Sequence, residues 1–344
     1  MKAGVLRAPD DLVYAEVDDP VPAQGDMLLK VKAATICGTD IRIFRGRKTA
    51  GVRYPSVIGH EFAGEIADAG GHAAFKAGDK VCVCPAIPCG HCDNCKRGYE
   101  NVCENLIAVG YEIDGAFAEY FRIPARAVDA GNVFPMPPDL TFEQAALAEP
   151  LACVINGQEQ VNIGLGDNVV VLGAGPIGLL HVQLARHAGA RHILVSQTSA
   201  LRRRAALDAG ADVAIDPASE DLEGAVKAMC DGQLADVAIV AIGVPRLAND
   251  AIRLVRTRGR VSLFAGFSQV SEMMMDGNAI HYRELTVRGS FGLSRRHFER
   301  AIDLLSGGRF PVESLLTHRF ALSDIGAALA AAETGAGLKV AILP

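Results

Sequence analysis

Residues 168–178 read NVVVLGAGPIG, an apolar strand that runs directly into G-x-G-x-x-G and then into a stretch of helical spacing, LLHVQLARHAG. Few local patterns restrict a chain as strongly. Gly173 permits the tight turn after the strand, Gly175 lets the backbone approach a pyrophosphate, and Gly178 lets the following helix pack closely on the strand. With Pro176 and Ile177 in its first turn, that helix presents N–H groups to an anion. The apolar runs HILVS, VAIVAIG and RVSLFAG come next, separated by Ala-rich helical stretches. Strands alternating with helices in this way predict βαβ units and an α/β, doubly wound parallel sheet.

A chain of 344 residues exceeds what one hydrophobic core usually organises, so two domains are expected. The first 150 residues differ in pattern from the dinucleotide region. Short runs such as LLKVKAA, KVCVCP and AEYFRIP, broken by Gly, Pro and Asp, predict an irregular, mostly β domain. Thr141-Phe142-Glu143-Gln144 fits a capping box that starts a helix, and Pro150 is expected to interrupt it. The domain boundary is placed there, with the dinucleotide unit over 151–289. From 290 to 344 an amphipathic helix and a short strand, LKVAILP, return to the first domain.

A net charge of −6 without blocks of like charge predicts no nucleic-acid partner. No run of about 18 apolar residues free of polar side chains predicts a membrane span, and the N-terminus does not read as a secretory signal. A cytoplasmic protein with a small-molecule partner is the expectation. There, nine cysteines serve metals or cores rather than disulfides. Cys89, Cys92, Cys95 and Cys103 follow C-x-x-C-x-x-C-x7-C, with Gly90 and Gly98 giving the backbone freedom to gather four thiolates. The spacing suits a closed, tetrahedral structural zinc, with an iron–sulfur cluster as the rival reading. Cys82, Cys84, Cys153 and Cys230 stand in apolar surroundings and read as packing.

Three further segments put metal-competent side chains beside glycine or proline: Cys37-Gly38-Thr39-Asp40, Gly59-His60-Glu61 and Glu149-Pro150. Singly, each reads equally well as turn, core or solvated residues. Together with the cysteine run and the glycine motif they resemble the zinc-dependent medium-chain alcohol dehydrogenases over nearly the whole chain. The Glu-Pro segment is similar to that of the sorbitol, threonine and related polyol dehydrogenases.

The resemblance implies a GroES-like catalytic domain around an inserted Rossmann domain, with the active site in the cleft between them. It implies two zinc ions per chain, the catalytic one held by Cys37, His60 and Glu61 or Glu149. Four such ligands at once would leave the substrate no position, so one carboxylate must stand off or exchange. Thr39 would carry the substrate proton away, and Asp40 would orient His60. Arg42 stands where many relatives place a histidine that continues the relay, and because it cannot shuttle protons at neutral pH, either the relay runs to water by another route or Arg42 contacts an anionic substrate group. Phe264-Ala265-Gly266 and Ser290-Phe291-Gly292 match segments bordering the nicotinamide. The cofactor is NAD or NADP. Gln197 replaces the acidic residue typical of NAD enzymes, and Arg202 or Arg203 could pair a 2'-phosphate, which favours NADP. The substrate is an alcohol or polyol, with threonine-type amino-alcohol oxidation and a non-enzymatic binding protein as rivals. Sorbitol itself fits poorly, because Gly292-Leu293 replaces an Arg-Tyr pair. A homo-oligomer, dimer or tetramer, is expected by analogy.

Overall fold

The computed structural model describes residues 1–267, 273–308 and 310–344. They form two compact units, one of Met1–Ala152 with Gly292–Pro344 and one of Cys153–Phe291. Among the described residues no helix is long and apolar enough to cross a membrane.

The second unit is a six-stranded sheet whose neighbouring strands all pair in parallel. Its order across the sheet is Val213–Ile215, His192–Ser196, Asn168–Leu172, Ala235–Val240, Val255–Leu263, Thr286–Gly289. In chain order this is 3-2-1-4-5-6, the Rossmann arrangement, which reverses direction beside Asn168–Leu172. All six positions of Ala235–Val240 are buried, as a strand covered on both faces requires.

The first unit is built on a seven-stranded sheet centred on Met27–Thr35, which pairs with Glu61–Asp68, Tyr120–Ile123 and Lys339–Leu343, all antiparallel. The last strand brings the chain terminus into the sheet begun by the first 150 residues. Its core includes Leu29, Phe62, Ile66, Val81 and Phe117, and the Phe62 and Phe121 rings meet edge to face at 5.0 Å. Register decides which side chains meet at one sheet end: Thr35 faces Glu61 on one side and Ala341 on the other.

One local expectation is corrected. Thr141 does cap its helix, its hydroxyl accepting the Gln144 N–H. The break falls at Leu147, however, and Pro150 lies inside the helix Ala148–Val161. It occupies the first turn, where a missing N–H costs no intrahelical bond. The chain therefore passes between its two units within a continuous helix rather than at a proline break.

Candidate metal centres and dinucleotide cradle

The sulfurs of Cys89, Cys92, Cys95 and Cys103 all lie within 4.8 Å of one another, and all four cysteines are free. Cys89 Sγ stands 4.0 Å from Cys95 Sγ, and Cys92 Sγ 3.8 Å from Cys103 Sγ. Four sulfurs about 2.3 Å from one tetrahedral ion are separated by about 3.8 Å. The spacing fits a single zinc and leaves no room between the sulfurs for the irons and sulfides of a cluster. Backbone donors point at the sulfurs: Cys89 N–H to Cys103 Sγ at 3.2 Å, Cys92 N–H to Cys89 Sγ at 3.3 Å, Asn105 N–H to Cys103 Sγ at 3.4 Å. Donors of this kind favour thiolate. Backbone N–H groups, that of His91 foremost, pull Cys89 down to about 6. Burial has the opposite effect on Cys95 within the cluster, pushing it up to about 12, and it pushes Cys82 and Cys84 up to about 12 as well, leaving those two inert packing groups.

A second set of donors converges at the sheet end. Cys37 precedes the short helix Gly38–Phe44, and the fully buried Asp40 holds it by accepting its N–H at 2.8 Å. The other oxygen of Asp40 lies 3.2 Å from His60 Nδ1. His60 follows Gly59, whose φ of +98° and whose closeness to Phe117, 2.6 Å from where a Cβ would sit, admit only glycine. Cys37, His60 and Glu61 each offer a ligand atom within 4.8 Å of the others. Thiol, imidazole and carboxylate at this separation fit a zinc site with three protein ligands. Burial opposes a charge on His60, yet nearby Tyr111, Asp40 and Cys37 raise its pKa well above the ordinary histidine range. The ring is thus set where a cation is favoured.

The two carboxylates stand unequally. Glu61 is fully buried, and Lys339 Nζ lies 2.6 Å from its Oε1 and 2.5 Å from its Oε2, which also accepts the Thr35 hydroxyl. Burial works against the Lys339 ammonium, but Glu61, Cys37 and Glu149 keep its pKa raised. Glu149, buried on Ala148–Val161, is not among the three converging donors, although its charge is felt at Lys339 and Tyr111. Thr39 lies on the same helix turn as Asp40. Lys339 and Thr35 carry no expectation from the sequence. A signal existed, since Lys339 opens the strand KVAIL, whose first four positions are buried. An ionisable group in such a run is rarely buried without a partner. No comparable signal marks Tyr111, whose ring packs 5.4 Å from that of His60.

In the second unit, Gly173 has φ +105°, and a Cβ on Gly178 would stand 2.0 Å from the Gly173 carbonyl. The helix Pro176–His187 therefore touches the strand as only glycine allows. At Gly175 a Cβ would meet nothing within 4 Å, so the backbone there lies open to a ligand at the helix N-terminus. Ile177 lies in that first turn. Gln197, Ala265 and Gly266, and Phe291 follow the ends of three other parallel strands, and the Ala265 N–H binds the Val240 carbonyl. Gln197 Oε1 accepts the Ser199 N–H. Arg203 is committed, donating to the carbonyls of Gln197 and Thr198 and pairing with Asp216 at 3.1 Å. Among the described residues Arg202 has no such partner.

The profile of the alcohol dehydrogenase GroES-like domain matches residues 23–138, and that of the zinc-binding dehydrogenases matches residues 176–307. The chain is 36% identical to an L-threonine 3-dehydrogenase of Pyrococcus furiosus over 89% of its length and 87% of the relative's. It is 32% identical to an L-galactonate-5-dehydrogenase of Escherichia coli, over 94% and 93%. Among solved structures, a chain described as a zinc-binding dehydrogenase of Sinorhizobium meliloti, bound to NADP, superposes with a TM-score of 0.93 at 33% identity, covering 100% of this chain and 99% of that one.

Proposed function

The chain belongs to the zinc-dependent medium-chain alcohol dehydrogenases, and from that premise we propose that it oxidises a secondary hydroxyl of a polyol or polyol acid at the Cys37–His60 centre. It is a zinc-dependent oxidoreductase that moves a hydride between an alcohol and a nicotinamide cofactor. The convergence of Cys37, His60 and Glu61 within 4.8 Å carries the assignment of the centre.

An alcohol must lose its proton before its carbon can release hydride, and zinc supplies that acidity, since it lowers the pKa of bound water from about 16 to about 7. The protein's own residues do the rest. Cys37 and His60 hold the ion, and Asp40 fixes both through its two oxygens. Thr39 takes the proton from the hydroxyl, and because Arg42 stays protonated the proton leaves from Thr39 by another route. Glu61 or Glu149 would supply the third ligand, Glu149 doing so where Glu61 is held by Lys339. Two zinc ions per chain follow, the second ordering the Cys89–Cys103 lobe. The catalytic unit comprises 1–150 and 290–344, and the dinucleotide unit 151–289.

For the cofactor we infer NADP. A neutral Gln197 does not repel a 2'-phosphate, and Arg202 is free to pair it, whereas Arg203 is not. A solved relative of Sinorhizobium meliloti binds NADP and one of Escherichia coli binds NADH, so the choice rests on Gln197 and Arg202. Ala265, Gly266 and Phe291 would border the nicotinamide. We place the protein in the cytoplasm as a homo-oligomer. The threonine reading remains the alternative because of the Pyrococcus relative. A panel of alditols, aldonates and L-threonine with NAD and with NADP, run beside zinc analysis, tests all of this. Turnover of a polyol or aldonate with two zinc ions per chain is expected. A preference for L-threonine replaces the polyol reading, and no cofactor reduction by the zinc-loaded protein removes the function.

A further inference from the structure

Two cations beside the Cys37–His60 centre have no part in the proposed hydride transfer. The helix Gly38–Phe44 and the loop after it carry Arg42, Arg45 and Lys48, which the structure treats differently. Arg45 is fully paired, with Asp10 at 2.6 Å and Glu333 at 2.5 Å. Arg42 and Lys48 form no ion pair among the described residues, and Arg42 Nε is buried without any partner. A buried orphan donor costs about 1–3 kcal/mol, so its position asks for an acceptor.

The chain brings the two together. The Arg42 carbonyl accepts the N–H groups of both Arg47 (2.8 Å) and Lys48 (3.1 Å), which folds the loop back on the helix. Lys48 Nζ donates to the Ala50 carbonyl at 3.0 Å and lies 4.8 Å from the centre of the Tyr111 ring. That same ring packs on His60. Thr39 and Arg42, three residues apart, share one face of the helix. Burial lowers the Lys48 pKa, the Glu112 charge opposes it, and the Arg42 charge adds a smaller lowering. Glu112 forms no ion pair with Lys48, and one of its oxygens accepts the Ala108 N–H at 2.8 Å. Two neighbouring cations, partly desolvated and unpaired, are unfavourable alone and favourable around a shared anion.

We propose that Arg42 and Lys48 bind an anionic group, a carboxylate or a phosphate, at the end of the substrate remote from its reacting hydroxyl. The substrate class is then an aldonate or an alditol phosphate rather than a neutral polyol. This rests on the proposed polyol oxidation and narrows it. Arginine offers the fork geometry that matches either oxyanion, and the lysine adds a point charge.

The test compares aldonates, alditol phosphates and the neutral alditols of the same configurations, using zinc-loaded protein with wild-type, Lys48→Met, Lys48→Arg and Arg42→Met chains. The wild type is expected to favour an anionic member over its neutral counterpart by at least about tenfold in kcat/KM, the effect of one charge-assisted hydrogen bond. Lys48→Met and Arg42→Met should lower kcat/KM for the anionic member at least about tenfold more than for the neutral one, and Lys48→Arg should recover most of it. Whether aldonates or phosphates show the selective loss tells the two sources apart. Equal losses on both classes, or a wild type that prefers the neutral alditol, overturn the inference. If nothing is turned over, the proposed oxidation fails by itself. Calorimetric binding of gluconate and inorganic phosphate then decides: binding weakened about tenfold by Lys48→Met upholds the anion site, and absent or unaltered binding removes it.

Discussion

The two donor clusters of the first unit make a direct comparison. The lobe cluster uses four like ligands from residues 89–103, with backbone N–H groups aimed at its sulfurs. The Cys37–His60 cluster brings three unlike donors from two segments, and the carboxylate among them is held by Lys339 from the far end of the chain. One set is closed, with four sulfurs for four tetrahedral positions. The other would be open, because a carboxylate already bonded through both oxygens to an ammonium would not take up a full share of a metal. Closure suits an ion that orders a fold, and openness suits an ion that must admit a substrate.

The comparison breaks first at the lobe. Structural zinc in small peptides contributes roughly 10–16 kcal/mol of apparent binding free energy, so Cys103→Ser should unfold the lobe and lower zinc from two ions per chain to one. Limited proteolysis within residues 89–103 and metal analysis report it. A lobe still protected in that variant would mean that its other contacts hold it without the ion. At the open centre the effect should appear in turnover instead. Loss of the ion removes several kcal/mol of charge stabilisation, so His60→Ala should lower kcat roughly a thousandfold with the lobe still protected. Full activity in that variant would end the assignment.

Lys339→Met sharpens the contrast between held and free carboxylates. It leaves Glu61 buried without its counter-ion, a change that typically costs about 3–5 kcal/mol, readable by chemical denaturation of the zinc-free protein. Zinc should restore much of that loss, since the released carboxylate gains a cation. If zinc stabilises wild type and variant equally, Glu61 takes no part in the metal site.

The same contrast explains what can be read from sequence. The lobe ligands fall within fifteen residues, so spacing alone carries the chemistry, and the observed sulfur separations then decide between zinc and a cluster. Likewise the strand, the glycines and the helix at 168–187 are contiguous, and the doubly wound sheet follows from them and from the alternation of later elements. Distant pairings are not legible. Lys339 reaches Glu61 only because the last strand joins the centre of the first sheet, a register that no local pattern encodes. Pro150 misleads for a related reason: a proline stops a helix in its interior but not in its first turn, and the distinction depends on where Leu147 breaks the preceding helix. Arg203 and Arg202 are equivalent in sequence, and only the fold separates them, giving Arg203 the carbonyls of Gln197 and Thr198 and the carboxylate of Asp216.

The smallest effect expected is at Asp40, which links the ligands of the open centre to each other. One of its oxygens accepts the Cys37 N–H and the other lies 3.2 Å from His60 Nδ1, a placement that would set the position of the thiol and the orientation of the ring together. In the lobe backbone N–H groups do most of this work, which no side-chain substitution removes, and the Asn105 side-chain amide stands 4.0 Å from Cys89 Sγ. Asp40→Asn keeps the size of the side chain and removes its charge. Losses of about 10–100-fold in metal affinity are typical of such outer partners. Chelator competition should therefore strip the open centre of the variant first, at concentrations that leave the lobe loaded, while the wild type requires correspondingly more. If Asp40→Asn and wild type release the two ions in the same order and at the same chelator concentration, Asp40 is only a buried cap on the Cys37 turn.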